Sequence, residues 1–225
     1  LQKLAEGAPG SAEEQRVAEL FQGKNARRDM ALAAENVRSQ SGQKERFLKG
    51  VAISQSFGRE IKQILRSYNL PEDLVHLPHV ESSFNFRAYS RLGAAGLWQF
   101  TRETGKQYLT IDDTIDERLD PIISTHAAAK YLAKSYNSLN NWPLAITSYN
   151  YGLGGTLRAV SEAGTYEQIF ANYNKGYFKF ASRNFYSEFL AAKNVATYLE
   201  KSHAGNSEAD MSYRYLKLPG YTHIE

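Results

Sequence analysis

The sequence has no cysteine among its 225 residues, so it can build neither a disulfide framework nor a thiolate metal site, and thiols say nothing of its redox compartment. It has no run of about 18 apolar residues, which excludes a single-pass membrane helix within it. Charge of one sign is not in excess. The 27 Lys and Arg against 24 Asp and Glu leave +3 at pH 7 and a pI near 8.9, too mild for a nucleic-acid surface yet suited to a mildly anionic polymer. The opening LQKLAEGAPG has neither an initiator Met nor a signal-peptide apolar stretch and reads as a mature or trimmed fragment. Internal repeats, low-complexity tracts, a G-x-S-x-G nucleophile elbow and a phosphate-cradling glycine pattern are also missing.

What is present suffices for one main globular domain with a flanking segment: 42% of residues are hydrophobic and 23% charged. Aromatics are plentiful, with 15 Tyr, 11 Phe and 2 Trp. Rings with polar tips line saccharide grooves, although packing accounts for most of them.

The patterning is mainly helical. Residues 11–40 predict two exposed helices broken near Gly23 to Asn25, and 43–68 predict a long helix or helix pair with weak points at Gly50 and Gly58. Pro71, followed by Glu72 and Asp73, opens a helix expected to run to Glu81. After Glu81 the pattern predicts a small hairpin or loop region, then helices at 101–108, at 120–138 with Asp120 as N-cap, at 142–150, at 156–163 and at 181–201. The glycines Gly152, Gly154 and Gly155 read as a helix-ending turn.

Three sequence-distant pieces then draw together. They are Glu81-Ser82, Gly96-Leu97-Trp98-Gln99, and Ser148-Tyr149-Asn150-Tyr151-Gly152. In order and spacing they resemble the three signature motifs of family 1 lytic transglycosylases. The likeness extends over roughly residues 37–200, including Gly42 to Phe47 and Leu70 to Ser83. It implies a mainly α, lysozyme-like (goose-type) domain over 69–202, an N-terminal helical segment over 1–68 and a tail over 203–225. Two positions depart from the family's pattern. Ser148 stands where Ala is usual, and Arg183-Asn184-Phe185-Tyr186 stands where a Tyr follows Arg-Asn, which removes one hydroxyl unless Tyr186 shifts register. The family's LysM wall-binding repeats are not found, so wall anchoring by this chain is not expected.

The resemblance implies that Glu81 is the catalytic acid in cleavage of the β-1,4 bond between N-acetylmuramic acid and N-acetylglucosamine, and afterwards the base that helps close a 1,6-anhydro ring. Ser82, Gln99, Tyr149 and Asn150 are expected to orient the acid or bind sugar, with Trp98 and Tyr151 as aromatic surfaces. No cofactor or metal is implied. The expected partner is the peptidoglycan glycan strand, placed in the bacterial periplasm or cell envelope, with no nucleic acid. Oligomeric state is open.

The residues fit the chemistry. Protonating a poor leaving group at neutral pH requires a carboxyl raised by apolar surroundings, and Glu81 follows Leu74, Val75, Leu77, Pro78 and Val80. Glycosidases commonly add a second carboxylate. None lies between Glu81 and Gln99, and the acids at 112–117 read as a solvated loop. An isolated Glu is ordinarily solvated, so it is the three motifs together that give this one a role. Two alternatives stand. A goose-type lysozyme-like hydrolase would bring Asp112, Asp113 or Asp116 to the cleft, and a catalytically weak glycan-binding module is suggested by Phe185. His76 and His79 with Glu81 form H-x-x-H-x-E, but the spacing is not that of a zinc protease helix and Pro78 disturbs the register, so satisfied or surface histidines are expected.

Overall fold

The computed structural model describes residues 1–36 and 44–202; the expected tail at 203–225 lies outside them. The chain divides into two compact units, Leu1–Lys44 and Glu45–Glu225. In the first, α1 (Gln2–Glu6) packs on α3 (Ala26–Asn36), with α2 (Ala12–Glu19) between them in sequence. Ser11 caps α2 by accepting from the Glu14 amide, while the Glu14 carboxylate accepts from the Gly10 amide at 2.6 Å. The helices α2 and α3 are the expected pair, parted near Gly23, whose φ is 97°.

From Glu45 on, the second unit opens with α4 (Lys44–Ser67), one continuous helix through both glycines. Its buried stripe of Val51, Ser54, Phe57, Ile61, Ile64 and Leu65 follows the three-and-four spacing that turns one face to a core. Gly50 is a notch in that face: a Cβ there would lie 2.5 Å from the Ser83 carbonyl oxygen, so only glycine lets this helix approach the turn after Glu81.

The single helix expected over 71–81 is instead a 3₁₀ turn, Glu72–His76, followed by α5 (Leu77–Glu81). Pro78 is the cause, since it has no N–H and its ring clashes with the carbonyl four residues back. The helix restarts with Pro78 in its first turn, where neither defect matters. The expected hairpin or loop region carries only isolated antiparallel bridges, Tyr89 to Ala95 and Ala95 to Phe100. The expected 101–108 helix shortens to the single turn α6 (Arg102–Gly105).

Asp120 caps α7 (Pro121–Leu139) as expected, its Oδ1 accepting from the Ile122 and Ile123 amides at 2.8 Å each. Asn141 caps α8 (Trp142–Tyr151). The glycine turn is tighter than expected: Gly152 alone reverses the chain at φ 86°, and Gly154 and Gly155 already lie in α9 (Leu153–Ala163). A further helix, α10 (Tyr166–Asn172), was not expected, although its Thr165/Gln168 capping box is written in the sequence. Last comes α11 (Phe180–Ser202).

The core centres on α7, whose Ala127, Ala128, Ala129 and Leu132 are buried with Leu74, Leu77, Phe84, Leu97, Trp98, Phe185 and Phe189. Helix α8 packs on α7, and α11 packs on both α8 and α5. The short α5 is therefore held by a long helix, not by its own five residues. Among the described residues no helix is long and apolar enough to cross a membrane.

Candidate active site

Glu81 is the last residue of α5, above the buried Leu74, Val75 and Leu77. Burial pushes its carboxyl up to about 8, and the negative charge of Glu188 on α11 adds to the rise. A carboxyl raised in this way keeps its proton at neutral pH.

Ser82 leaves the helix and donates its hydroxyl to the Leu97 carbonyl at 2.8 Å, tying the end of α5 to the Gly96–Phe100 segment. The backbone then turns left-handed at Ser83 (φ 52°) and Phe84 (φ 58°), and again at Gln99 (φ 50°). Among the described residues these are three of the five non-glycine residues with positive φ, and a fully buried Phe in that region is strained unless its surroundings hold it. The Phe84 amide is held by the Pro78 carbonyl at 3.1 Å.

Arg118 holds the second strained segment. It is buried, and its Nη1 donates to the carbonyls of Gly93 (2.8 Å) and Phe100 (3.1 Å), while Nε and Nη2 grip the Asp116 carboxylate at 2.8 and 2.6 Å. Gly96, at φ 79°, passes so close that a Cβ would lie 1.7 Å from the Arg118 carbonyl oxygen.

Tyr149 approaches from α8. Its hydroxyl donates to the Trp98 carbonyl at 2.9 Å and is raised well above the ordinary phenol range by burial and then by the nearby Glu81 charge. Together with Gln99, Thr101, Tyr131, Asn150 and Tyr151 it lines a cavity of about 200 Å³. Asn150 is exposed there, with its Oδ1 accepting from the Ser182 hydroxyl at 2.8 Å. Gln99 directs its Nε2 to the carbonyls of Gly96 (2.8 Å) and Ala88 (3.3 Å), so it fixes its own turn and leaves Oε1 to accept from a ligand. Tyr151 is half-buried, edge-on to Phe178 at 5.0 Å.

The structure thus gathers Gln99, Tyr149, Asn150 and Tyr151 on one cavity, sets Ser82 as a tie beneath Glu81, and takes Trp98 away. Expected as an aromatic surface, Trp98 is fully buried and donates Nε1 to Thr125 at 2.8 Å, which makes it a core anchor that no ligand can reach.

The departures from the motif pattern resolve differently. Ser148 is buried and its hydroxyl bonds back to Ala145 at 2.7 Å, so it leaves the cavity unchanged. Phe185 belongs to the core, and Tyr186 lines a second cavity with Trp142, Phe189 and Lys193. The acids at 112–116 are engaged elsewhere. Asp112 accepts from the Thr114 and Ile115 amides, Asp113 sits 4.0 Å from Arg102, and Asp116 is clamped by Arg118. The carboxylate that sequence reading missed is Glu188. Its cue was only its place beside the buried Phe185 and Phe189 stripe of α11.

His76 and His79 are neither satisfied nor at the surface. Both are buried, and burial lowers them to about 4 and about 3, leaving neutral rings. Nδ1 of His76 and both ring nitrogens of His79 have no hydrogen-bond partner.

Comparison with known proteins places this geometry. The Transglycosylase SLT domain family matches residues 59–179. A "Putative tributyltin chloride resistance protein" of Alteromonas sp. (strain M-1) is 42% identical over 97 residues, covering 41% of this chain and 46% of that protein. Membrane-bound lytic murein transglycosylase D of Escherichia coli (strain K12) is 36% identical over 98 residues, covering 43% of this chain and 22% of the relative. The chain spans less than half the length of these relatives. With more than half of its residues matched, the chain belongs to the Transglycosylase SLT domain family and has the mainly α, lysozyme-like fold of that family.

Proposed function

We propose that this chain is a lytic transglycosylase that cleaves the β-1,4 bond between N-acetylmuramic acid and N-acetylglucosamine in peptidoglycan, with Glu81 as acid and then base. The observation that carries the reading is the Glu81 carboxyl, raised by burial to about 8 and close enough to Tyr149, which lines a cavity with Asn150, for its charge to act on that phenol. Glu81 gives its proton to the bridging oxygen as the C1–O bond breaks, and the N-acetylglucosamine side leaves with a hydroxyl. The carboxylate then takes the proton of the muramic C6 hydroxyl while O6 bonds to C1. The acid is regenerated and no water is consumed. Tyr149 and Ser82 hold the two segments that frame the acid, and Asn150 and the Gln99 oxygen meet sugar groups. On this reading residues 69–202 carry the catalysis, 1–68 form a helical lead-in, and the protein works in the periplasm or cell envelope, where its substrate lies.

A hydrolase is the second reading, and one observation favours it: Glu188 is a second carboxylate whose charge reaches Glu81. Purified sacculi treated with the protein and with Glu81→Gln decide between them. Released muropeptides one water lighter and resistant to borohydride, absent with the variant, are expected. Reducible ends would mean hydrolysis, and sedimentation with sacculi without product would mean a binding module.

A further inference from the structure

We propose that His76, His79 and Glu200 bind one divalent transition cation of the Zn²⁺ class, which braces the end of α11 against the segment leading into α5. The inference is independent of the catalytic reading. One ligand atom from each residue lies within 4.8 Å of the others. The histidines stand three residues apart, one ending the 3₁₀ turn and one in α5, with rings stacked at 5.9 Å between centroids.

Their exposures are 5% and 4%, and three of their four ring nitrogens are buried without a partner. Such groups are rare in folded proteins, because each forfeits its hydration for nothing, and a cluster of them calls for an occupant. Phe47 at 5.1 Å and Phe84 at 4.6 Å flank the His79 ring, so its surroundings are apolar. The third group is a carboxylate. Glu200 is also raised by burial, which marks its charge as under-compensated although Lys62 and the Ser54 hydroxyl, 3.5 Å away, oppose the rise.

Two imidazole nitrogens and one carboxylate oxygen suit Zn²⁺ or Co²⁺, not the all-oxygen preference of Ca²⁺ or Mg²⁺. Bonds of about 2.0–2.2 Å require the three donors to close in from their present separation. Glu200, on a long side chain two residues from the end of α11, is the group free to do so. Lys62 is felt by both His76 and Glu200, so it is the internal cation that the metal competes with.

The test uses the full chain stripped with chelator and titrated with Zn²⁺ by calorimetry, with Co²⁺ absorption as a spectroscopic readout. One ion per chain, a raised melting temperature and tetrahedral-type Co²⁺ bands are expected. Glu200→Gln, which keeps side-chain volume near a helix end, is expected to weaken binding at least about tenfold, with an unchanged far-UV CD spectrum. His76→Phe, read in parallel, should do the same. An absence of heat and of Zn²⁺ retained after dialysis overturns the proposal. So does binding undiminished in both folded variants, since the ion would then sit elsewhere, for example at His126.

Discussion

Within the six residues from His76 to Glu81 the protein withdraws three titratable groups from water, the histidines fully and Glu81 in part, and the same desolvation has opposite chemical results. At Glu81 burial favours the neutral acid, a proton donor with a pKa near 8. At His76 and His79 it favours the neutral base, with pKa values near 4 and 3 and lone pairs pointing at no donor. Burial always selects the uncharged form. Whether that form is useful depends on what faces it: a cavity-lining tyrosine that feels its charge for Glu81, the Glu200 carboxylate for the histidines.

The comparison breaks most visibly at Glu81. Glu81→Gln is expected to lower turnover on sacculi by about 10²–10⁴-fold or more, and at the same time to stabilise the fold. Folded protein holds this proton up to pH about 8 whereas unfolded chain releases it near 4.5, so wild-type stability falls as pH rises through that window. Urea melts at pH 5, 7 and 8 should show the variant gaining on wild type, by up to about 3 kcal/mol at pH 7.

The histidines should slope the other way. Their folded pKa values lie below the ordinary 6.5, so their stability contribution is complete above pH 6.5 and is lost as pH falls toward 4 and 3. In chelator, His79→Phe should flatten this acid loss, recovering up to about 3 kcal/mol of the difference between pH 7 and pH 4. A parallel decline in wild type and variant would show that His79 is not the group titrating.

Smaller changes sharpen the contrast on the Glu81 side. Tyr149→Phe removes the hydrogen bond to the Trp98 carbonyl and should cost about 1 kcal/mol in a denaturant melt, with reduced kcat. Glu188→Gln removes the lesser of the two causes that raise Glu81. The basic limb of the kcat/KM profile should then move to lower pH, by less than burial imposes. An unmoved limb would place Glu188 outside the site and weaken the hydrolase reading.

The elements legible in the sequence are those with local signals. Asp120 before Pro121 states the start of its helix, and the three-and-four spacing of 43–68 states helix there, without help from the rest of the chain. Where a local signal competed with another, reading from pattern alone misplaced the boundary. Pro78 split the helix leading to Glu81, and Gly154 and Gly155 entered α9 because Gly152 alone made the turn. Of the proposed site, Glu81, Gln99, Tyr149, Asn150 and Tyr151 were read from three motifs that recur together; the burial of Trp98 and the approach of Glu188 to Glu81 could not be read that way. A tryptophan serves cores and sugar platforms with the same residue type, and only the Thr125 hydroxyl facing its Nε1 assigns it to the core.

The sequence by itself determined a mainly helical chain, the Asp120 cap, and one carboxyl in an apolar context without a neighbouring acid in its own motif. The tertiary structure decided which groups meet. Helix α11, about a hundred residues after α5, brings Glu188 toward Glu81 and Glu200 toward His76 and His79, and α8 brings the Tyr149 hydroxyl to the Trp98 carbonyl. Periodicity and capping act over a few residues, so the chain can state them locally. Desolvation and charge coupling depend on distance through space, and no stretch of sequence carries them.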